Sequence, residues 1–187
     1  MSKYIPDSTY NLALNRIGTV DRITICTQQP ATYFEAAVAS LWESGKGYSV
    51  GDLCRPPTDN NKIYECTING TSGSGEPSWG VVDAGTFIDG SVTWKTHSSY
   101  SLAEAVIEAA DKVIGDRSGG GRQITFAEKS GITSFRGGVV THTVYLNNID
   151  KTIEAITTST TTAPADDLIV AGRTIIFFFF LISFRVS

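Results

Sequence analysis

Residues 42–95 read WESGKGYSVGDLCRPPTDNNKIYECTINGTSGSGEPSWGVVDAGTFIDGSVTWK, and how this stretch folds decides the architecture of the whole chain. Short apolar runs alternate with Gly, Pro and Asn turns, the grammar of a small β module. Asp89-Gly90 sits between Thr86-Phe87-Ile88 and Val92-Thr93-Trp94, and an Asp-Gly pair accepts the positive φ angles of a type I′ hairpin turn. Residues 56–61, rich in Pro and Asn, suit a longer hairpin loop joining the runs 50–54 and 62–66. Asn69-Gly70 then opens a Gly/Ser-rich loop that ends at Glu76-Pro77-Ser78-Trp79. Four short strands are predicted. Helix-like segments flank the stretch, so residues 42–97 are expected to be a small β module inserted into a discontinuous host domain, residues 1–41 and 98–187.

A module of about fifty residues buries little surface and relies on a few large side chains to hold it together. Trp42, Tyr48, Tyr64, Trp79 and Trp94 are those side chains, and they admit two uses. They form a core, or they form a carbohydrate-binding surface on which ring faces stack against a pyranose while neighbouring Asn, Asp and Glu groups hold its hydroxyls. All three tryptophans of the protein lie here, so indole fluorescence reports on this stretch alone.

The order Trp42, Tyr48, Gly51-Asp52, Tyr64, Glu76-Pro77 and Trp79 resembles the small chitin-binding modules attached to bacterial chitinases. It is similar, more closely, to a β module that recurs in structural and tail proteins of tailed bacteriophages. There Tyr-Ser-Val-Gly-Asp, Tyr-Glu-Cys, Gly-Thr-Ser-Gly, Glu-Pro-Ser-Trp and Asp-Gly-Ser-Val-Thr-Trp all have counterparts. The likeness implies a virion component, with glycan or host-surface binding through the five rings as the alternative.

The chain has 187 residues, enough for one ordinary domain or a modest domain with an insert. Its formal net charge of −4 supplies no basic footprint, and no nucleic-acid partner is expected. Eighteen glycines with many Thr and Ser point to an all-β protein. The opening residues MSKYIPDSTY lack the apolar core of a signal peptide, so synthesis and assembly in a host bacterial cytoplasm are expected. Without secretion the acceptor pattern Asn69-Gly70-Thr71 has no glycosylation to receive. Cys26, Cys54 and Cys66 are odd in number and are expected reduced, although Cys54 and Cys66 are placed to face each other across their hairpin.

Asp7, Ser8 and Thr9 cap a short helix over residues 10–17, which Gly18 stops, with Leu14 and Ile17 on its packing face. Residues 20–27 are β-branched and half alternating, and Gln29-Pro30 ends that strand. Thr32 with Glu35, and Ser101 with Glu104, both match a capping box, so each following segment taken alone suggests a helix. Residues 117–122 form a turn, not a phosphate loop, because no Gly-Lys-Ser/Thr ending follows. Strands are expected over 123–127 and 139–146, with 131–138 as a connection, and over 152–158 as the partner of 139–146 in a hairpin. A further loop precedes residues 168–170.

The run Thr174-Ile175-Ile176-Phe177-Phe178-Phe179-Phe180-Leu181-Ile182-Ser183-Phe184 is about half the length of a membrane-spanning helix, so no membrane partner is expected. It suits a strand, whose alternation sends Phe177 and Phe179 one way and Phe178 and Phe180 the other. Both faces then need covering. One meets the core, and Phe178, Phe180 and Ile182 are candidates for an interface between copies of the chain.

The flanking portions carry a second resemblance. Asp21-Arg22-Ile23-Thr24-Ile25-Cys26 with Gln29-Pro30-Ala31-Thr32-Tyr33 and Glu35, then Leu102-Ala103-Glu104, Gly121-Arg122 with Ile124, Thr141-His142 and Tyr145-Leu146 resemble a family of small bacteriophage virion proteins. In that family the Thr-Tyr-x-Glu segment leads almost directly to the Leu-Ala segment, which implies that the intervening module is an insert and that residues 102–109 are extended. The implied architecture is an antiparallel, jelly-roll-like β-sandwich. The implied role is that of an accessory head, neck or tail surface protein, or capsid decoration, assembling as a symmetric oligomer whose partners are its own copies and other virion proteins.

For catalysis the sequence offers little. His97 and His142 are the only histidines and have no ligand-spaced partners, so neither a metal nor another cofactor is expected. Asp166-Asp167 suits a solvated loop better than a cation site. Asp52, Glu65, Glu76, Asp83 and Asp89 are the carboxylates available for a glycosidase pair, but a module this small leaves little room for the cleft that such chemistry needs. A non-enzymatic role is expected.

Overall fold

The computed structural model of the chain describes residues 7–118, 121–158, 168–169, 172, 174–177 and 182–184. In chain order the elements are α1 (Asp7–Ile17), β1 (Arg22–Cys26), α2 (Tyr33–Ala36), β2 (Ser40–Leu41), β3 (Gly47–Tyr48), β4 (Leu53–Arg55), β5 (Lys62–Ile68) and β6 (Gly70–Thr71). There follow β7 (Thr86–Asp89), β8 (Val92–Ser98), β9 (Ser101–Val106), β10 (Lys112–Asp116), β11 (Arg122–Phe126), β12 (Lys129–Thr133) and β13 (Gly138–Val139). The last are β14 (His142–Asn147), β15 (Thr152–Thr158), β16 (Leu168–Ile169), β17 (Thr174–Phe177) and β18 (Ile182–Phe184). The fold is all-β and sandwich-like, built from several sheets with one longer helix. It divides into two compact units, Met1–Gln29 with Leu102–Ser187, and Pro30–Ser101.

The first unit is organised on the antiparallel pair β1 and β14, in which Ile23 faces Tyr145 and Ile25 faces Thr143. Its main sheet has the order β15-β14-β1-β9. Thr24, Ile23, Val144, Tyr145 and Leu146 are all buried, so the central strands are covered on both faces, as their near-continuous apolar sequence requires. The core joins Ile23, Ile25 and Tyr145 to Leu102 and Ala105 of β9, Ile124 and Phe126 of β11, and Leu14 and Ile17 of α1. Helix α1 presents Tyr10, Leu14 and Ile17 at helical spacing. Beyond its end, the Lys112 ammonium donates to the carbonyls of Gly18 and Val20 at 2.8 Å each, placing a cation where the helix dipole is negative.

Several expectations are corrected here. Residues 131–138 are not a plain connection, because β12 runs through Lys129–Thr133 and pairs with β17. The strand expected over 139–146 is interrupted at Val140-Thr141, where the Thr141 amide turns to donate to the Cys26 carbonyl at 2.9 Å. Ser101–Val106 is extended, as the resemblance implies, although the extension stops short of the 3-10 turn Ala109–Asp111. The helix that the capping-box pattern suggests by itself does not form, because burial of Leu102, Ala103 and Ala105 overrides local propensity. The described parts of the apolar segment 174–184 are extended, as expected: β17 pairs with β12 and β18 with β11, where Ile182 lies opposite Ile124. Phe178 and Phe180 lie outside the described residues, as do Asp166 and Asp167.

The second unit is a five-stranded sheet of order β2-β4-β5-β8-β7, with the small ladder β3-β6 beside it. All pairs are antiparallel except β2 with β4. The unit extends beyond residues 42–97, and local bonds explain why. Thr32 and Glu35 form a true capping box on the single turn α2, worth about 1 kcal/mol. Phe34 stacks on His97 with ring centroids 4.0 Å apart. The Glu35 carbonyl accepts from the Tyr100 amide at 2.7 Å, and the Ala37 carbonyl accepts from the Ser101 hydroxyl at 2.8 Å.

The β7–β8 hairpin differs from expectation by one residue. Asp89 pairs with Val92 as the last strand position, so Gly90 and Ser91 are the turn residues. Only Gly90 of these has a positive φ, +61°, which is the pattern of a type II′ turn and not type I′. A Cβ on Gly90 would lie 2.3 Å from the Thr71 carbonyl oxygen and 2.8 Å from the Gly73 nitrogen. Gly45, at φ +66°, has open space around it. Gly90→Ala is therefore expected to destabilise this unit by about 2–3 kcal/mol, from strain plus backbone collision. Gly45→Ala is expected to cost about 1 kcal/mol, from φ alone. Urea unfolding followed by indole fluorescence measures both, and equal effects would contradict the steric account.

Candidate functional site

The only residues that the sequence nominates as a ligand surface in the second unit are its five rings, and the structure packs four of them inside. Tyr64 and Trp94 are fully buried, and Trp42 and Tyr48 are 8% and 4% exposed. Trp79 is half-buried. Tyr48 meets Trp94 edge to face at 4.8 Å, and Trp79 lies 4.6 Å from Tyr64 and packs edgewise on Trp42 and Phe87. A stacking platform needs a bare ring face, and at most Trp79 offers part of one.

At the centre of this cluster stands a carboxylate that the sequence marks only as a turn residue and a possible catalytic acid. Asp89 is 4% exposed. Its Oδ2 accepts from the Trp42 indole nitrogen at 2.8 Å and from the Trp94 indole nitrogen at 3.4 Å, while its Oδ1 accepts from the Gly73 amide at 2.8 Å. The signal that would have found it is the coincidence of buried indoles, each needing an acceptor, with a carboxylate at a strand end.

The other carboxylates are likewise engaged. Asp52 accepts from the Ser49 amide at 2.8 Å and closes a turn in which Gly51 takes φ +90°, as position three of a type II turn requires. Glu76 accepts from the Trp79 indole at 2.7 Å. Glu65 lies 3.0 Å from His97 Nε2. Asp83 bonds Lys62 and Ser98 at 2.8 Å each, and the Lys62 ammonium, with help from Ser98, holds its carboxyl below the ordinary value. His142 lies on β14, its Nδ1 2.8 Å from the Thr141 hydroxyl. Among the described residues no group of His, Cys, Asp or Glu is arranged to hold a metal ion. No helix among them is long and apolar enough to cross a membrane.

No family model, curated protein or solved structure matches the chain.

One shallow depression in the second unit, of about 220 Å³, is lined by Ser40, Lys46, Tyr48, Asp52 and Leu53. Its polar groups serve local structure: Lys46 pairs with Glu43, the Tyr48 hydroxyl accepts from the Glu43 amide, and the Ser40 hydroxyl donates to the Leu53 carbonyl.

Cys26, Cys54 and Cys66 are free thiols, all buried. In the β4–β5 ladder Cys54 lies opposite Tyr64, not Cys66, so the two sulfurs sit diagonally. Burial pushes the Cys26 thiol up to about 12 and raises those of Cys54 and Cys66. Thiolate is the reactive form. Substoichiometric labelling by a thiol reagent is expected in mildly alkaline buffer, rising to three equivalents in denaturant. Prompt reaction of the folded protein would contradict this burial. Asp89→Ala leaves two indole donors and an amide without their acceptor and is expected to cost about 3 kcal/mol. The same variant should shift the emission of Trp42 and Trp94, and wild-type emission with wild-type stability would refute the role assigned to Asp89.

Proposed function

We propose that this chain is a structural component of a tailed-bacteriophage virion, an accessory protein of the head, neck or tail surface, in which residues 30–101 form a self-contained β module. The observation that carries this reading is where the shared motif residues lie. Tyr48 and Asp52 of Tyr-Ser-Val-Gly-Asp, Glu76 and Trp79 of Glu-Pro-Ser-Trp, and Asp89, Gly90 and Trp94 of Asp-Gly-Ser-Val-Thr-Trp serve as core, turn and hydrogen-bond framework. A motif used in this way specifies a fold that can be carried from protein to protein. The resemblance to phage modules is then a resemblance of scaffold, with outer surfaces left free to differ.

A glycan-binding role through Trp42, Tyr48, Tyr64, Trp79 and Trp94 has less support, since four of these rings have no free face. The engaged carboxylates likewise support a non-catalytic role. The partners proposed are other copies of the chain and other virion proteins.

Native mass spectrometry and sedimentation of the full chain test the proposal, with a discrete symmetric oligomer as the expected result. Phe178→Asp and Phe180→Asp are expected to dissociate it while leaving indole emission unchanged. A wild-type chain that stays monomeric at high concentration would overturn the assembly role. Titration with cell-wall and capsular glycans is expected to leave indole emission flat, whereas saturable quenching would favour the carbohydrate reading instead.

A further inference from the structure

Asn69 is the one asparagine in the chain that a glycine follows. It is exposed, it lies between β5 and β6, and no hydrogen bond holds its side chain among the described residues. We propose that Asn69 is a site of spontaneous deamidation, and that its conversion to isoaspartate loosens the Pro30–Ser101 unit.

The chemistry needs only water. The backbone nitrogen of Gly70, having lost its proton, attacks the Asn69 side-chain carbonyl carbon. The bond to the side-chain nitrogen breaks, and ammonia leaves with the proton that balances the step. Water then opens the resulting succinimide at either carbonyl, giving Asp or, with the backbone rerouted through the former side chain, isoaspartate. Glycine favours the attack because no side chain shields its nitrogen and its backbone turns freely. Gly70 belongs to a ladder of only two residue pairs, Gly47 with Thr71 and Tyr48 with Gly70, and so short a ladder opens at little cost.

The Asp89-Gly90 step has the same following residue and is the natural contrast. There the acidic side chain is buried and both its oxygens are engaged, so the carbonyl carbon is not presented to its neighbour's nitrogen.

Placement gives the modification its consequence. A Cβ on Gly70 would lie 2.5 Å from the carbonyl oxygen of Ser91, so the backbone here is pressed against the β7–β8 turn. Thr71 next to it exchanges bonds with Ser91, accepting from its amide at 2.9 Å and donating its own amide to the hydroxyl at 2.8 Å. Two residues further on, Gly73 supplies the amide that binds Asp89. An extra backbone methylene at position 69 pushes this series out of register, and deamidation to either product adds a negative charge to a unit with four Lys/Arg and eight Asp/Glu.

The experiment incubates the full chain in warm, mildly alkaline buffer, beside a free peptide of residues 65–75, for a time in which the peptide converts. Peptide mapping and enzymatic isoaspartyl methylation read the product. Conversion in the full chain is expected at Asn69 before any other asparagine, to be lost in Asn69→Gln, and to yield a fraction that unfolds at lower urea by indole fluorescence. An intact Asn69 in the folded chain when the peptide has converted would overturn the proposal. So would earlier conversion at another asparagine, or a converted fraction with unchanged unfolding.

Discussion

A carboxylate taken out of water must find donors, and in the Pro30–Ser101 unit that requirement settles the positions of three distant segments. Burying an ion costs several kcal/mol, and hydrogen bonds to a charged acceptor return about 1.5–3 kcal/mol each. Asp89 has three such donors, from Trp42, Gly73 and Trp94. None suffices alone, and together they tie the amino-terminal segment of the unit, the Gly/Ser loop and strand β8 to one carboxylate. The steric demand on Gly90 follows from the same arrangement: the loop that brings Gly73 to Asp89 also brings the Thr71 carbonyl against the turn. A small unit with a limited apolar core thereby gains a single loop geometry.

The rings divide their labour accordingly. Trp94 and Tyr64 fill the interior, while Tyr64 also donates to the Gly80 carbonyl at 2.9 Å and accepts from Asn60 at 2.7 Å, joining two loops across the sheet. Trp79 closes the cluster from outside, its indole nitrogen held by Glu76. Polar handles on large apolar bodies let one residue serve core and loop at once, which suits a chain segment too short to assign those tasks separately.

What was legible in the sequence was whatever is local and repeated along the chain. The helix that stops at Gly18, Arg22–Cys26 and Thr152–Thr158 announce themselves through a stop residue, β-branching and alternation. The helix nonetheless begins at Asp7, so that Asp7, Ser8 and Thr9 lie within its first turn and do not precede it as caps. The hairpin at residues 86–94 was legible too, but its turn type was not. Asp-Gly is compatible with two registers, and the choice fell to Asp89 because its side chain is needed inside, a demand made by indoles 47 and 5 positions away. Ser101–Val106 shows the same limit: a capping box is a four-residue pattern, and neighbours supplied by β1 outweigh it. The five aromatic residues stand out in the sequence, yet their spacing fits a stacking surface as well as a core. Only burial separates the two, and burial depends on contacts between residues far apart in sequence.

The same distinction between local and distant contacts bears on how one unit comes to be carried within another. In the main sheet of the first unit β1 and β9 are neighbours, so the chain leaving Cys26 and the chain entering at Leu102 belong to adjacent strands. A short connection suffices there, and whatever replaces it must begin and end at nearby points. The Pro30–Ser101 unit meets that condition by its own bonds, since Glu35 and Ala37 near its start accept from Tyr100 and Ser101 at its end. Drawing its two ends together lets the unit close on itself without demanding anything of the host strands except their adjacency. The capping box on α2 and the stacking of Phe34 on His97 then have a function that neither sequence pattern reveals by itself: they fasten the entry segment to the exit strand.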